Sequence, residues 1–299
     1  MRLSIGPIQY FWERQRVLDF YERVADSAAE IVYLGEVICS KRRLVNSGDW
    51  LAIGDELRQS GKEIVLSSLT LLEAASELGA LKKLCQNEPF VVEANDVAAI
   101  QLLSTAGKSF VTGPGVNIYN ARSLRLLARK GLKRWVPPVE LGLEALKDLQ
   151  AQRPACVQTE VFALGRLPLA YSARCYTARS HNLAKDDCQF KCLDYPDGRT
   201  LKTQEGQEFL VLNGIQIQSA LTHQALNQVP DLEAAGIDVL RISPQSRHMP
   251  RIIEIFDAAR KGVDLEALGE ELLSLMPLGV CNGYLFHRAG MEHDPSQAA

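Results

Sequence analysis

Short apolar runs rich in β-branched residues recur along the chain, each followed by a stretch with helical spacing. They fall at 3–7 (LSIGP), 31–37 (IVYLGEV), 63–68 (EIVLSS), 90–95 (FVVEAN), 110–115 (FVTGPG), 134–138 (RWVPP), 156–164 (CVQTEVFAL) and 237–243 (IDVLRIS). Up to the seventh, the starts lie roughly 20 to 32 residues apart, the length of one strand-plus-helix unit. Continuous apolar character implies cover on both faces, as in a parallel sheet. Between the runs, Leu71, Leu72, Ala75, Leu78 and Leu81 share one helical face, as do Val97, Ile100 and Leu103. Gly61, Gly79, Gly107 and Gly131 read as helix stops before the next strand. Eight strands alternating with helices predict an α/β (β/α)8 TIM-like barrel, since eight is the number that closes. An open doubly wound sheet competes, but no G-x-G-x-x-G follows the first run.

The rhythm breaks between 166 and 235. This interval holds three cysteines and a strand-rich stretch in which Pro196-Asp197-Gly198-Arg199 reads as the tight turn of a hairpin. It is expected to be a Cys-rich insertion after the seventh strand of a single domain spanning 1–299, reconnected by a helix around 222–228. Leu265, Leu268, Leu272 and Leu275 predict a helix near the end.

A chain of 299 residues with net charge −3 and pI near 6.0 has ordinary soluble composition and argues against nucleic acid as the main partner. The basic groups at 41–43 and 122–130 read as solvated surface. The first residues lack the apolar region of a signal peptide, and no run is long enough to span a membrane. The expected location is therefore cytoplasmic and reducing, where seven cysteines do not form a disulfide framework.

Cys175, Cys188 and Cys192 fall within eighteen residues, spaced Cys-x12-Cys-x3-Cys. Thiolates gathered by one polar loop suit zinc or an iron–sulfur cluster, but this spacing matches neither paired zinc knuckles nor the ferredoxin patterns. Cys39 follows the second strand and so lies on the barrel rim from which the insertion emerges. Four thiols there make an all-cysteine site compatible with zinc or [4Fe–4S]. Cys85, Cys156 and Cys281 read as structural, and His181, His223 and His248 as surface or helix-end residues.

Barrel active sites form at the carboxyl ends of the strands. Glu36, Glu93, Asn117, Glu160 and Arg241 lie at or just beyond those ends and are the candidate pocket residues. Carboxylates there serve as acid–base groups, substrate hydrogen-bonders or partners of Arg241. Asn95-Asp96 before Val97 reads equally well as a helix cap. No Ser/His/Asp or HExxH hydrolase signature is present.

The segment EVFALGRLPLAYSARCYTARSHNLAKDDCQFKC (160–192) resembles the signature of the collagenase-like U-type peptidases, the thirty-second family of the unassigned-mechanism class. Glu160, Phe162, Gly165, Ser172, Arg174, Cys175, Cys188 and Cys192 carry the match, and YLGEVICSKR (33–42) resembles the family's second strand. Where most members have a further cysteine, this chain has Pro168, and Cys39 is placed to supply the missing thiolate. FVVEANDVAAIQLL, VTGPGVNIYN and CNGYLFHRAG point to the compact ubiquinone-biosynthesis branch. The resemblance implies a [4Fe–4S] cluster on Cys39, Cys175, Cys188 and Cys192. It implies a heterodimer with the sister protein UbiU, acting in oxygen-independent ring hydroxylation of ubiquinone precursors, with prephenate as the suggested oxygen donor. The rival readings are an RNA-base hydroxylation factor, a protease as the family's name suggests, and a supporting iron–sulfur subunit without catalytic groups of its own.

Overall fold

A computed structural model of the chain describes residues 1–294. Strands and helices alternate as β1 (Arg2–Ile5), α1 (Arg14–Ala25), β2 (Ile31–Leu34), α2 (Ser47–Gln59), β3 (Glu63–Ser67), α3 (Ala75–Gln86), β4 (Val91–Ala94), α4 (Val97–Thr105), β5 (Phe110–Thr112), α5 (Ala121–Ala128), β6 (Leu132–Trp135), α6 (Leu143–Ala151) and β7 (Gln158–Tyr171). The insertion adds α7 (Tyr176–Arg179), β8 (Arg199–Lys202), β9 (Glu208–Asn213), β10 (Gln216–Gln224) and α8 (Val229–Ala234). The barrel resumes with β11 (Val239–Ile242), α9 (Met249–Arg260) and α10 (Leu265–Ser274), followed by β12 (Val280–Cys281). Strands β1 to β7 each pair in parallel with the next, β7 pairs with β11, and β11 pairs with β1. The eight predicted runs therefore close a TIM-like barrel. No helix among the described residues is long and apolar enough to cross a membrane.

Strand parity divides the core. Leu3, Ile5, Val32, Leu34, Val92 and Ala94 face the helices and join the large apolar layer between sheet and helix ring. The opposite parity turns Ile31, Tyr33, Val65, Val111, Val136 and Val239 into a small separate cluster inside the barrel. Local signals fix the helix starts: Asn46 forms a capping box with Asp49 on α2, and Asp96 caps α4 through the Ala98 N–H.

Strand β7 is long because it serves two sheets. Its first half belongs to the barrel, and its second half pairs antiparallel with β10, which in turn pairs with β9 and β12. Gly165 sits at the change with φ +142°, where a Cβ would lie 2.5 Å from that of Ser243. This bend carries the insertion over the barrel rim.

Several local expectations are corrected. The Pro196–Gly198 turn leads into β8 from the short 3₁₀ turn at Lys191–Asp194, and the hairpin loop falls at 203–207 instead. The segment at 222–228 is the end of β10 plus a 3₁₀ turn, because its side chains pack into the extra sheet. Gly79 lies inside α3, Leu71 and Leu72 precede that helix, and Leu78 is exposed. Cys156 is an exposed turn residue, whereas His223 is buried in β10.

His223 packs near the Phe162 ring, and burial pushes its pKa down to about 4. The unfolded chain takes up this proton near pH 6.5 and the folded chain only near 4. Stability is therefore full above pH 6.5 and falls as pH drops through that window, by about 2 kcal/mol at pH 5. Urea denaturation at pH 7 and pH 5 should show this loss in the native chain and a smaller one in His223→Gln. An equal loss in both would assign the acid sensitivity to other groups.

Candidate functional site

Inward-facing polar residues form a ladder of charge along the barrel axis. At the amino-terminal end Glu63 pairs with Arg2 at 2.7 Å and Arg134 at 2.5 Å. Next, Arg134 donates to the Tyr33 hydroxyl at 3.2 Å, and that hydroxyl donates to Glu160 Oε2 at 2.5 Å. Glu160 Oε1 accepts from Ser4 Oγ at 2.6 Å and Arg241 Nε at 2.7 Å. Arg241 Nη1 then reaches Glu93 Oε1 at 2.7 Å, and its guanidinium lies 4.0 Å from the Tyr33 ring centre. Glu93 also accepts from Ser67 Oγ at 2.7 Å. A Cβ on Gly113 would fall 1.8 Å from Asn95 Oδ1, so the absence of a side chain there lets Asn95 hold its place beside Glu93.

Glu160, Glu93 and Arg241 are essentially inaccessible to solvent. Burial pushes the Glu160 carboxyl up, but Arg241 and Arg134 outweigh it and hold the group below the usual carboxylate range. Burial likewise works against the charge on Arg241, and Glu160 and Glu93 overcome it. The Nη2 of Arg241 is buried without a hydrogen-bond partner. Arg241 and Glu93 line a cavity at the carboxyl-terminal mouth, together with Gln9, Val37, Phe162 and Tyr171. The mouth thus combines apolar and aromatic walls with one uncommitted cationic N–H, a combination suited to an aromatic or carboxylated ligand.

A second cavity lies between the loop after β2 and the insertion. Cys39, Cys175, Cys188 and Cys192 all line it, with Arg42 and Phe190. Cys39 comes from the loop after β2, where Glu36 accepts from the Ile38 and Cys39 N–H groups at 2.8 and 3.0 Å. Cys175 caps α7, its sulfur accepting from the Ala178 N–H at 3.4 Å. Burial raises the Cys39 and Cys192 thiols, against the pull of the Arg42 charge. Val37 and Tyr171 line the mouth cavity and also belong to the apolar cluster that contains Cys39, Cys175 and Cys188.

Arg42 ties this region together. Its Nη1 donates to the Gln9 carbonyl at 2.7 Å and its Nη2 to Asn213 Oδ1 at 2.8 Å, while its buried Nε has no acceptor. Asn213 continues to Gln216, and Gln216 to the Tyr171 hydroxyl, at 3.0 and 2.9 Å. A hydrogen-bonded chain thus runs from a cation beside the thiols to a side chain of the mouth cavity.

An all-thiol donor set of this kind suits zinc or an iron–sulfur cluster. Among the described residues, no three His, Cys, Asp or Glu side chains converge tightly enough to hold a lone metal ion. Tetrahedral zinc needs every sulfur about 2.3 Å from one point. A four-iron cubane instead takes one thiolate at each of four separated irons, and an anionic cluster would give the free Arg42 N–H an acceptor.

Of the predicted pocket residues, Glu93 and Arg241 reach the mouth cavity. Glu160 lies one layer below, and Glu36 faces a neighbouring cavity with Trp12 and Arg42. Asn117 is exposed, ending a 3₁₀ turn in a left-handed conformation, and is not brought to the mouth. Sequence reasoning passed over Tyr33, Arg134 and Tyr171, and it read Arg42 as solvated surface, whereas Arg42 is buried. Tyr33 and Arg134 carried a usable signal, being polar atoms at inward parity in otherwise apolar runs.

A family model described as peptidase family U32 matches residues 15–295. Among solved structures, the U32 peptidase Mk0906 is 11% identical with a TM-score of 0.47, covering 84% of this chain and 94% of its own. Dihydropteroate synthase from Thermus thermophilus is 13% identical with a TM-score of 0.43, covering 91% of this chain and 93% of its own. Sialic acid aldolase from Aliivibrio salmonicida is 10% identical with a TM-score of 0.47, covering 92% of this chain and 79% of its own.

The ladder makes a stability prediction. Glu160→Gln leaves two buried guanidiniums short of a countercharge, and breaking a buried pair typically costs about 3–5 kcal/mol. Chemical denaturation should show a loss of that order, against less than about 1 kcal/mol for exposed Glu254→Gln, whose Arg251 partner keeps Glu271. Equal small losses would mean that the axial charges are solvated.

Proposed function

The chain belongs to peptidase family U32, and within it we propose a UbiV-type role: a [4Fe–4S] protein that works with UbiU in oxygen-independent ring hydroxylation of ubiquinone precursors. The observation that supports this most is that Cys39, Cys175, Cys188 and Cys192, from two remote segments, line one cavity. Those four thiolates would hold the cluster, and a bound cluster supplies one-electron transfer. Arg42 offsets negative charge on the sulfurs and offers its free Nε–H to them. The Ala178 N–H fixes the Cys175 sulfur, and Glu36 fixes the turn that presents Cys39.

The mouth cavity is the proposed substrate site. Val37, Phe162 and Tyr171 provide walls for an aromatic ring. Arg241, held by Glu93 and Glu160, offers Nη2 to a carboxylate such as that of a prephenate-like oxygen donor. The net change exchanges a ring hydrogen for the donor's hydroxyl: the ring is oxidised by two electrons, and the donor, which takes a hydrogen where its hydroxyl was, is reduced by two. Val37 and Tyr171 also pack in the apolar cluster that contains Cys39, Cys175 and Cys188, which keeps the proposed ring site close to the thiols.

The ligand set is tested by anaerobic purification and iron analysis. Cys39→Ala, Cys175→Ala, Cys188→Ala and Cys192→Ala should each lose most of the iron and the associated visible absorption, and Cys85→Ala should keep both. Full iron retention in Cys39→Ala would remove that residue from the set. Iron-free protein in every variant and in the native chain alike would overturn the cluster itself.

Partnership is tested separately. Co-expressed without oxygen, this chain and UbiU should co-elute at micromolar concentration and together hydroxylate a quinone precursor, with no hydrolysis of peptide substrates. Separate elution, or peptide hydrolysis without hydroxylation, would defeat the reading.

A further inference from the structure

A cavity outside both of these sites lies between α1 and the loop that leads from β11 into α9. Its floor is apolar, with Trp12, Phe20 and Ile253 buried there. Its rim carries Arg16, Arg23 and Arg247, and no Asp or Glu lines it. Most other arginines in the chain lie against a carboxylate, as Arg2, Arg14, Arg42, Arg134, Arg153, Arg241, Arg251 and Arg260 do. Arg23 and Arg247 have no such partner among the described residues. Arg16 spends one N–H on the Ser246 carbonyl at 2.8 Å and stacks 5.2 Å from the Trp12 ring centre. Three cations therefore face one concave surface whose lining, among the described residues, holds no carboxylate, in a chain whose net charge is −3.

Like charges gathered on a rim repel one another, and an acidic chain gives no general reason to place them together. His248 adds a fourth basic side chain, held in a left-handed conformation at the start of α9, whose first turn has no side-chain cap. The Trp12 N–H is already committed to the Pro196 carbonyl at 2.6 Å, so the indole offers the cavity its apolar surface only. The resulting surface is amphipathic: an aromatic floor beneath a cationic rim.

We propose that this cavity binds an organic anion made of a phosphate group on an aromatic body. The phosphate sits among Arg23, Arg247 and Arg16, where guanidiniums make paired charge-assisted hydrogen bonds. The aromatic body lies on Trp12 and Phe20. The site is distinct from the mouth cavity and from the cysteine cavity, and it does not depend on a cluster being present.

The probe is 1-naphthyl phosphate, compared with inorganic phosphate and 1-naphthol on the full chain, followed by tryptophan fluorescence and by calorimetry. Naphthyl phosphate should bind saturably and at least about tenfold more tightly than either fragment, with affinity falling as salt rises. The exposed pair change Arg23→Gln with Arg247→Gln should weaken binding by about tenfold or more while leaving the melting temperature and iron content unchanged. Trp12→Phe should preserve phosphate-dependent binding seen by calorimetry but abolish the binding-linked fluorescence change. No saturable binding, equal affinity for 1-naphthol, or undiminished affinity in the double variant would each overturn the proposal.

Discussion

The Arg241 guanidinium, clamped between Glu160 and Glu93 at 2.7 Å on both sides, is the contact on which the barrel interior depends. Barrels of this type are usually filled by layers of branched apolar side chains. Here a small apolar cluster shares the interior with a buried network of Glu, Arg, Ser and Tyr side chains. A charge moved out of water is expensive, so every rung must be matched by the next. Arg134 and Arg241 supply two cations, and Glu93 and Glu160 supply two anions, with Tyr33 and Ser4 taking up the remaining acceptor capacity. The strand register fixes this matching: Arg241 stands opposite Ser4 on one side and Phe162 on the other, one inward position above Glu160, so its side chain reaches down to that carboxylate. A slip of one residue in β11 would turn Arg241 toward the helix layer and strand both carboxylates.

The ladder ends with one guanidinium N–H uncommitted at the mouth, and this links interior packing to chemistry. An arginine tethered by two carboxylates cannot swing away from a ligand, so a bound carboxylate would meet a donor already in position. The insertion supplies the other half of the site. Gly165 redirects β7 over the rim, β10 and β9 extend it, and the loop after β7 brings Cys175, Cys188 and Cys192 back over the loop after β2. Arg42, Asn213 and Gln216 lock that returning sheet to the first strand's loop through the Gln9 carbonyl and side chain.

The barrel was legible in the sequence because its strands are buried on both faces and so appear as unbroken apolar runs. Inward polar residues could be read in part: Glu93, Glu160 and Arg241 interrupt such runs at their exits. Tyr33 and Arg134 follow the same parity, but Tyr33 sits mid-run and Arg134 opens its run, where an aromatic or an arginine stem passes for packing. The insertion was harder. Pro196-Asp197-Gly198 does make a turn, yet what lies before it is a 3₁₀ segment, and local turn chemistry does not report the partner of the strand it starts. The 222–228 segment shows the same limit, since β10 gains its strand character from pairing with β7 and β12. Asn117 lies just past a strand end in sequence, but the 3₁₀ turn at 114–116 rotates it to the surface.

Pro168 sharpens what the cysteine arrangement means. The family resemblance expects a thiol at that position, and the simplest reading is that Cys39 takes its place. Pro168 lines the mouth cavity, paired with Gln218 at a register shift in β10, whereas Cys39 lines the cavity of the other three cysteines. A thiol at 168 would thus line the mouth cavity and not the one that holds the other three cysteines. Proline there has no N–H to satisfy and adds apolar surface to the mouth. In the proposed site, moving the fourth thiolate to the β2 loop therefore has two effects. It leaves the mouth cavity free of sulfur, and it makes assembly of the four-thiol set depend on closing the barrel, because Cys39 and the insertion meet only once β2 and β7 have taken their places in the sheet.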